Sequence, residues 1–406
     1  MASEKRKSGS VHCTAGTAAR RDAVFAVARW LAGGVFAEAT LPDGGENRAF
    51  VQDLVYTVVR RRRSLEWILS KFLSRWPKGE LEALLLVGAA QIFFMDGVPD
   101  YAACHETVEA AKLSGAKRNL APVVNGVLRN LLRRKAETLS ALALQPLAVR
   151  ESYPDFLIAR WEARLGADVA ERLAKWHNLS ADTFLAFADG RCEVLPHGKN
   201  VRDVDGYESG AFIVQNPAAR LAIDLMQLDA FPEGGCVLDF CAAPGGKTIQ
   251  TAWRTHGSCR IVAQEVNPKR RRRLCENIAR TGVAVEVVDS VPADALFDRV
   301  LADVPCSNTG VIRKRPDARW RWDRPEFMQQ LGEVQTQILS AAARHVKPGG
   351  ILVYSTCSNE YEENAGRVKK FLLSAAGTGF EILEIAESLP VITGHDGAFA
   401  VSLIRK

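Results

Sequence analysis

The stretch Val237-Leu238-Asp239-Phe240-Cys241-Ala242-Ala243-Pro244-Gly245-Gly246-Lys247-Thr248 constrains this chain more than any other. An apolar run ends abruptly in small residues and two glycines, and a lysine then opens a helical pattern. That is a strand, a tight loop and a helix N-terminus. Such a loop lets a ligand approach the backbone closely and meet N–H groups that lack intrahelical partners. In an open α/β sheet, ligands gather outside the carboxyl ends of the strands.

The rest of residues 211–406 fits such a sheet, because strand and helix patterns alternate. Strands are expected at 236–240, 260–265, 285–289, 299–303, 351–356, 380–385 and 398–404, and helices at about 246–254, 268–281, 325–346 and 360–375. Each early strand ends in a polar residue: the 241–247 loop, then Glu265, Asp289 and Asp303. The loop matches neither GxxxxGK[ST] nor GxGxxG, which weakens a pyrophosphate reading. A carboxylate at a strand end suits ribose hydroxyls or an adenine amino group. A nucleoside cofactor without phosphates, S-adenosylmethionine, fits that series. A strand-end cap is the bland alternative for any one of them.

Two cysteines stand in unusual company. Ala302-Asp303-Val304-Pro305-Cys306-Ser307 closes the fourth strand and Tyr354-Ser355-Thr356-Cys357-Ser358 the fifth. Neighbouring strands lie about 4.8 Å apart, so both thiols would flank one pocket. Cytosine C5 is a poor nucleophile until a thiolate adds to C6, and the enzyme is then released when a base removes the C5 proton. Two cysteines meet that need, and a protonated Asp303 would supply a donor near N3. N6-adenine methylation would call for an aromatic residue at position 306. A labile disulfide or inert core packing are the competing readings. There is no CxxC pair among the nine cysteines, so neither a structural zinc nor any other metal is expected.

Residues 17–140 read as helices, with apolar spacing in 20–31, 47–63, 64–72, 81–95, 107–113 and 123–132. Residues 1–140 carry 21 basic and 14 acidic side chains, the remainder 32 and 33. A basic module on a near-neutral body suggests a polyanionic partner or a solvated helical surface. The polar start MASEKRKSGS, residues 1–16, is expected to be a disordered tail. It has no signal-peptide core, and no apolar run is long enough to cross a bilayer, so a cytoplasmic location without membrane attachment is expected. Residues 141–210 are expected to form a linker or small subdomain.

Residues 53–63, 98–112 and 124–129 resemble the NusB-like RNA-binding domain, through Asp53-Leu54-Val55-Tyr56 with Arg60–Arg63, Val98-Pro99 with Val108-Glu109-Ala110-Ala111-Lys112, and Val124-Asn125-Gly126-Val127-Leu128-Arg129. Residues 211–406 resemble the RsmB-type (Fmu/Sun) branch of the NSUN superfamily of RNA cytosine-C5 methyltransferases, through FIVQNPAA, VLDFCAAPGGKT, ADVPCSNTGVIRKRPDARW, YSTCSNEYEEN and HDGAFAVSLIRK. The resemblance implies a Rossmann-like class I methyltransferase domain behind an all-α NusB-like domain. It implies Cys357 as nucleophile and Cys306 as the group assisting release. It also implies that Cys241, Ala242, Ala243, Pro244, Gly245, Gly246, Lys247, Glu265, Asp289 and Asp303 bind S-adenosylmethionine, with Lys247 facing the transfer centre. The implied substrate is RNA, in the first place small-subunit rRNA. A tRNA or other RNA, or a non-catalytic assembly role, are the alternatives, and a monomer is expected. The chain departs from the family pattern in having Glu265 for the usual Asp and Asn216 in Val214-Gln215-Asn216 for the usual Asp. It also lacks an Arg-x-Asn over 183–190.

The run Arg313–Arg324 has six basic and two acidic residues with Trp320 and Trp322 interleaved. Arginines hold phosphates and an indole stacks on an unpaired base, so Arg313, Arg315, Arg319, Trp320 and Arg321 are expected to contact RNA. A solvated loop is the alternative. The run Lys269–Arg273 is expected to form a solvated helix face.

Overall fold

The computed structural model describes residues 14–113, 119–231, 233–323 and 325–406. Residues 1–13 of the expected tail lie outside them, and Ala15 already begins the first helix. The chain divides into two units, one running to Asn178 and including Arg315–Trp320, the other comprising Leu179–Lys314 and Arg321–Lys406.

The first unit is helical. Helices run over Ala15–Leu31, Arg48–Ser70, Glu80–Phe94, Asp100–Lys112 and Ala121–Arg133, and shorter ones follow to Trp176. Thr14 starts the first by accepting the N–H of Thr17 at 2.9 Å. Glu80–Phe94 is the central helix, because eleven of its residues are buried. The polar Gln91 is tolerated there because its amide is satisfied: Arg20 Nε donates to it at 2.8 Å, and it donates to Thr107 Oγ1 at 3.1 Å. Gly88 has a packing reason, since a Cβ there would lie 2.6 Å from the Leu128 side chain.

The expected 141–210 linker does not form one body. Its first part belongs to the helical unit, where helices Asp155–Leu165 and Ala167–Trp176 bury Leu157, Trp161 and Leu173. Its second part enters the other unit as strands. β1 (Thr183–Phe187) pairs antiparallel with both β2 (Cys192–Leu195) and β3 (Phe212–Val214). Buried Leu185, Leu195 and Phe212 give this small sheet its core.

The larger sheet has seven strands: β4 (Cys236–Asp239), β5 (Arg260–Gln264), β6 (Glu286–Val288), β7 (Phe297–Asp303), β8 (Val346–Thr356), β9 (Phe380–Ser388) and β10 (Ala398–Arg405). Their order is β6-β5-β4-β7-β8-β10-β9. The first five are parallel, and β10 runs antiparallel between β8 and β9. Central strands covered on both faces read as continuous apolar runs, as Ile351-Leu352-Val353-Tyr354 does, each residue at most 4% exposed. This is the Rossmann-like methyltransferase fold, and it places the ends of β4, β5, β7 and β8 along one edge.

Candidate active site

β4 delivers Asp239, and the chain then turns through 241–245 into the helix Gly246–Thr255. Gly245 sits at φ 110°, a conformation L side chains rarely adopt. Other residues brace the loop from outside. Asn277 Nδ2 donates to the Pro244 carbonyl at 2.8 Å, Arg270 to that of Ala243 at 3.0 Å, and the Ala242 N–H to Gln264 O at 3.0 Å. Arg270 and Arg271 therefore do more than cover a solvated helix face, whereas Arg272 stays exposed and pairs with Glu276. Burial pushes the Cys241 thiol up to about 12, which makes it inert as a nucleophile.

Two carboxylates near this loop differ in environment. Asp239 is buried and accepts from Thr248 Oγ1 at 2.6 Å through Oδ2, while Oδ1 is buried and meets no side-chain donor among the described residues. Burial pushes its carboxyl up to about 6. Glu265, at the end of β5, is also buried. Its Oε1 accepts the Asn267 N–H at 2.9 Å and its Oε2 lies 3.3 Å from Arg270. Asp289, just past β6, is exposed, 4.0 Å from Arg271. Gln264 links these strand ends by accepting the Val291 N–H at 2.9 Å.

Asp303 ends β7 opposite Ser355 of β8. Its Oδ2 accepts from Lys247 Nζ at 2.6 Å and its Oδ1 from Ser355 Oγ at 2.7 Å. The expectation of a protonated Asp303 that donates to the base is corrected here, because both oxygens already act as acceptors. The donor at this place is the Lys247 ammonium. Burial alone would lower its pKa, but the neighbouring Asp303 carboxylate outweighs that and the net shift is upward.

Beyond the same strand ends, the Cys306 and Cys357 sulfurs lie 2.9 Å apart, both unbridged. Cys306 is buried, and its hydrogen bond to Cys357 together with desolvation holds its thiol well above the ordinary range. Asn308, in the left-handed region at φ 62°, donates Nδ2 to the Cys306 carbonyl at 3.0 Å, so its Oδ1 faces Cys357 Sγ at 3.1 Å. A small cleft opens beside Cys357, lined by Asn216, Ala218, Lys247, Asp396 and Gly397 among others. Asn216 Oδ1 accepts two backbone N–H groups, of Ala218 and Asp396, each at 3.1 Å.

The structure thus gathers Lys247, Asp303, Cys306 and Cys357 at one point, with the 241–247 loop and Glu265 beside it. Sequence reasoning missed Asp239, Ser355 and Asn308. For Asp239 a signal was present, an acidic residue closing an otherwise apolar strand.

The expected RNA contacts are corrected in part. Arg319 is fully buried in the first unit, where it donates to the carbonyls of Arg60 and Ser152 and to Asn178 Oδ1 at 3.0–3.1 Å, and stacks 4.0 Å over Tyr153. Trp320 Nε1 donates to the Val59 carbonyl at 2.8 Å. Arg313 is buried and bound to the Ser180 carbonyl and to Asp182. These groups are committed to hydrogen bonds within the chain. Arg315 is exposed, 3.4 Å from Glu38, and Arg321 is half-buried. Arg324 lies outside the described residues.

Residues 17–133 match the NusB family and residues 226–399 the family described as 16S rRNA methyltransferase RsmB/F. Ribosomal RNA small subunit methyltransferase B of Sodalis glossinidius is 32% identical over 404 residues, covering 90% of this chain and 91% of that protein. The chain belongs to the RsmB family. Its relative of the same name in Citrobacter koseri is also 32% identical, over 89% and 91% of the two chains. The crystal structure of PH0851 shares the fold, with a TM-score of 0.74, 21% identity, and coverage of 96% of this chain and 99% of that one. As a member of the RsmB family the chain is an RNA methyltransferase.

Proposed function

We propose that the chain transfers a methyl group from S-adenosylmethionine to C5 of a cytosine in small-subunit rRNA, through a covalent bond between Cys357 and C6. The observation that carries this reading is the pair of thiols 2.9 Å apart beside the Lys247–Asp303 ion pair. Lone nucleophilic cysteines need one sulfur. One that must also leave the ring again gains from a second group beside the first, here the Cys306 thiol.

The residues at the strand ends fit the methyl donor. Asp239 Oδ1, buried and meeting no side-chain donor among the described residues, suits an ammonium group, and Glu265 suits ribose hydroxyls. The 241–247 loop would hold the amino-acid part and Asp289 the adenine edge. When bound, S-adenosylmethionine supplies an electrophilic methyl group.

The protein's own groups do the rest. Cys357 as thiolate adds to C6, the C5=C6 π bond breaks, and its electrons make C5 nucleophilic. Negative charge gathers on O2 and N3, where the Lys247 ammonium stabilises it. After methylation the C5 proton passes to solvent water, its bonding electrons re-form C5=C6, and the C6–S bond breaks with its electron pair returning to the Cys357 sulfur. The Cys306 thiol hydrogen-bonds the departing Cys357 sulfur. The target base must be unpaired or flipped to enter the cleft.

The test is transfer of radiolabelled methyl from S-adenosylmethionine to purified small-subunit rRNA and, in a second arm, to tRNA, with nuclease digestion to identify the nucleoside. Labelled 5-methylcytidine in the rRNA arm supports the proposal. Label in another nucleoside, or in tRNA alone, contradicts it.

A further inference from the structure

Glu363 is 1% exposed, and burial pushes its carboxyl up. It nevertheless collects four neutral donors. Oε1 accepts the Ser307 N–H at 2.8 Å and Gln335 Nε2 at 2.9 Å. Oε2 accepts the hydroxyls of Ser307 and Ser358. Ser307 follows Cys306 and Ser358 follows Cys357 in the chain, so one carboxylate holds the residue after each thiol. The two serine hydroxyls lie 3.2 Å apart. Glu363 is itself anchored, since its carbonyl accepts Tyr354 OH of β8 at 2.6 Å.

Burying a carboxylate among neutral donors is costly, and a satisfied polar network specifies one arrangement where an apolar cluster would allow several. The two thiol loops come from different strands, and the buried Thr309 Oγ1 joins them as well, accepting the Asn359 N–H at 3.0 Å and meeting Ser358 Oγ at 3.1 Å, but only Glu363 brings a carboxylate to both. We propose that Glu363 is a positioning residue, a clamp that fixes the Cys306 loop against the Cys357 loop and thereby sets the sulfur–sulfur contact. The proposal rests on the reading of these cysteines as the reacting groups. Glu363 touches neither sulfur and acts through Ser307 and Ser358.

The experiment compares wild type with Glu363→Gln in the full chain. The amide keeps the shape but replaces one acceptor by a donor, opposing Ser307 or Gln335. Two readouts are used. In the first, iodoacetamide labelling followed by peptide mapping, without RNA or cofactor, gives the rate ratio of Cys357 to Cys306. The half-buried Cys357 reacts at least about tenfold faster in wild type, and the ratio drops about threefold or more in the variant as the Cys306 loop loosens. In the second, kcat for rRNA methylation falls on the order of 100-fold, while KM for RNA changes by no more than about twofold, as expected for misplaced reacting groups. A folded variant that keeps both the wild-type ratio and the wild-type kcat overturns the proposal. If Glu363→Gln does not fold, the double variant Ser307→Ala/Ser358→Ala removes two donors without adding one and is judged by the same criteria. A changed labelling ratio alongside no cytosine methylation by wild type would retain the clamp and overturn the reaction assignment instead.

Discussion

Lys247 Nζ and Asp303 Oδ2 form a 2.6 Å ion pair that joins the start of the glycine-loop helix to the end of β7. Because β7 also aligns with β8, this pair fixes the 241–247 loop relative to the strand that leads into Cys357. Removing one member leaves a partly buried charge without its partner. Lys247→Met is expected to lower kcat by about 100-fold or more and to destabilise the fold by about 1–3 kcal/mol. Single-turnover methylation and urea denaturation measure the two effects.

Asp239 makes stability depend on pH with a definite sign. Its carboxyl is held up to about 6 in the folded chain, against 3.8 for the ordinary group. Below the lower value it is neutral in both states and its contribution is fully present. As pH rises toward 6 the unfolded chain ionises first, so that contribution is lost, by up to about 3 kcal/mol. Chemical denaturation from pH 4 to 7 should show this loss in wild type relative to Asp239→Asn, in which the group cannot ionise. Parallel pH profiles would contradict the assignment.

Arg319 is fully buried and supports the first unit through its hydrogen bonds to the Arg60 and Ser152 carbonyls. Arg319→Ala is expected to cost about 2–4 kcal/mol of stability, because it leaves buried carbonyls without donors. Where the variant folds, the salt dependence of RNA binding should match wild type, since losing a phosphate contact would lower the slope by about one. Filter binding across salt concentrations distinguishes these outcomes.

Asn216 accepts two backbone N–H groups beside the Cys357 cleft. An aspartate reproduces both acceptors and an alanine neither. Methylation by Asn216→Asp should stay within about threefold of wild type, and Asn216→Ala should lose about 1–2 kcal/mol of stability. Steady-state kinetics and thermal melts report each.

The strand-end chemistry was legible because strands announce themselves by apolar runs and their last residues by an abrupt change of polarity. Val237–Asp239, Val300–Asp303 and Ile351–Thr356 are such runs, and they put Lys247, Asp303, Cys306 and Cys357 at one edge. The Asn216, Asn308 and Glu363 networks were not legible, because a polar residue in a loop carries no mark of which backbone group it will meet. The basic run around Arg319 misled for a related reason. Composition cannot separate a solvated arginine from one that supplies donors to buried carbonyls, and Trp320 looked equally free although its indole N–H is bonded to Val59. The strands of 183–214 were hidden by shortness, since three to five residues do not establish a period.

In the proposed reaction Cys357 bonds to the base and Cys306 lets it go. Incubating each alanine variant with substrate rRNA and S-adenosylmethionine, then resolving protein–RNA adducts on a denaturing gel, tests it directly. Cys306→Ala should accumulate a covalent adduct that survives denaturation, and Cys357→Ala should form none. An adduct with Cys357→Ala and none with Cys306→Ala would reverse the two roles, and no adduct from either would contradict the covalent route.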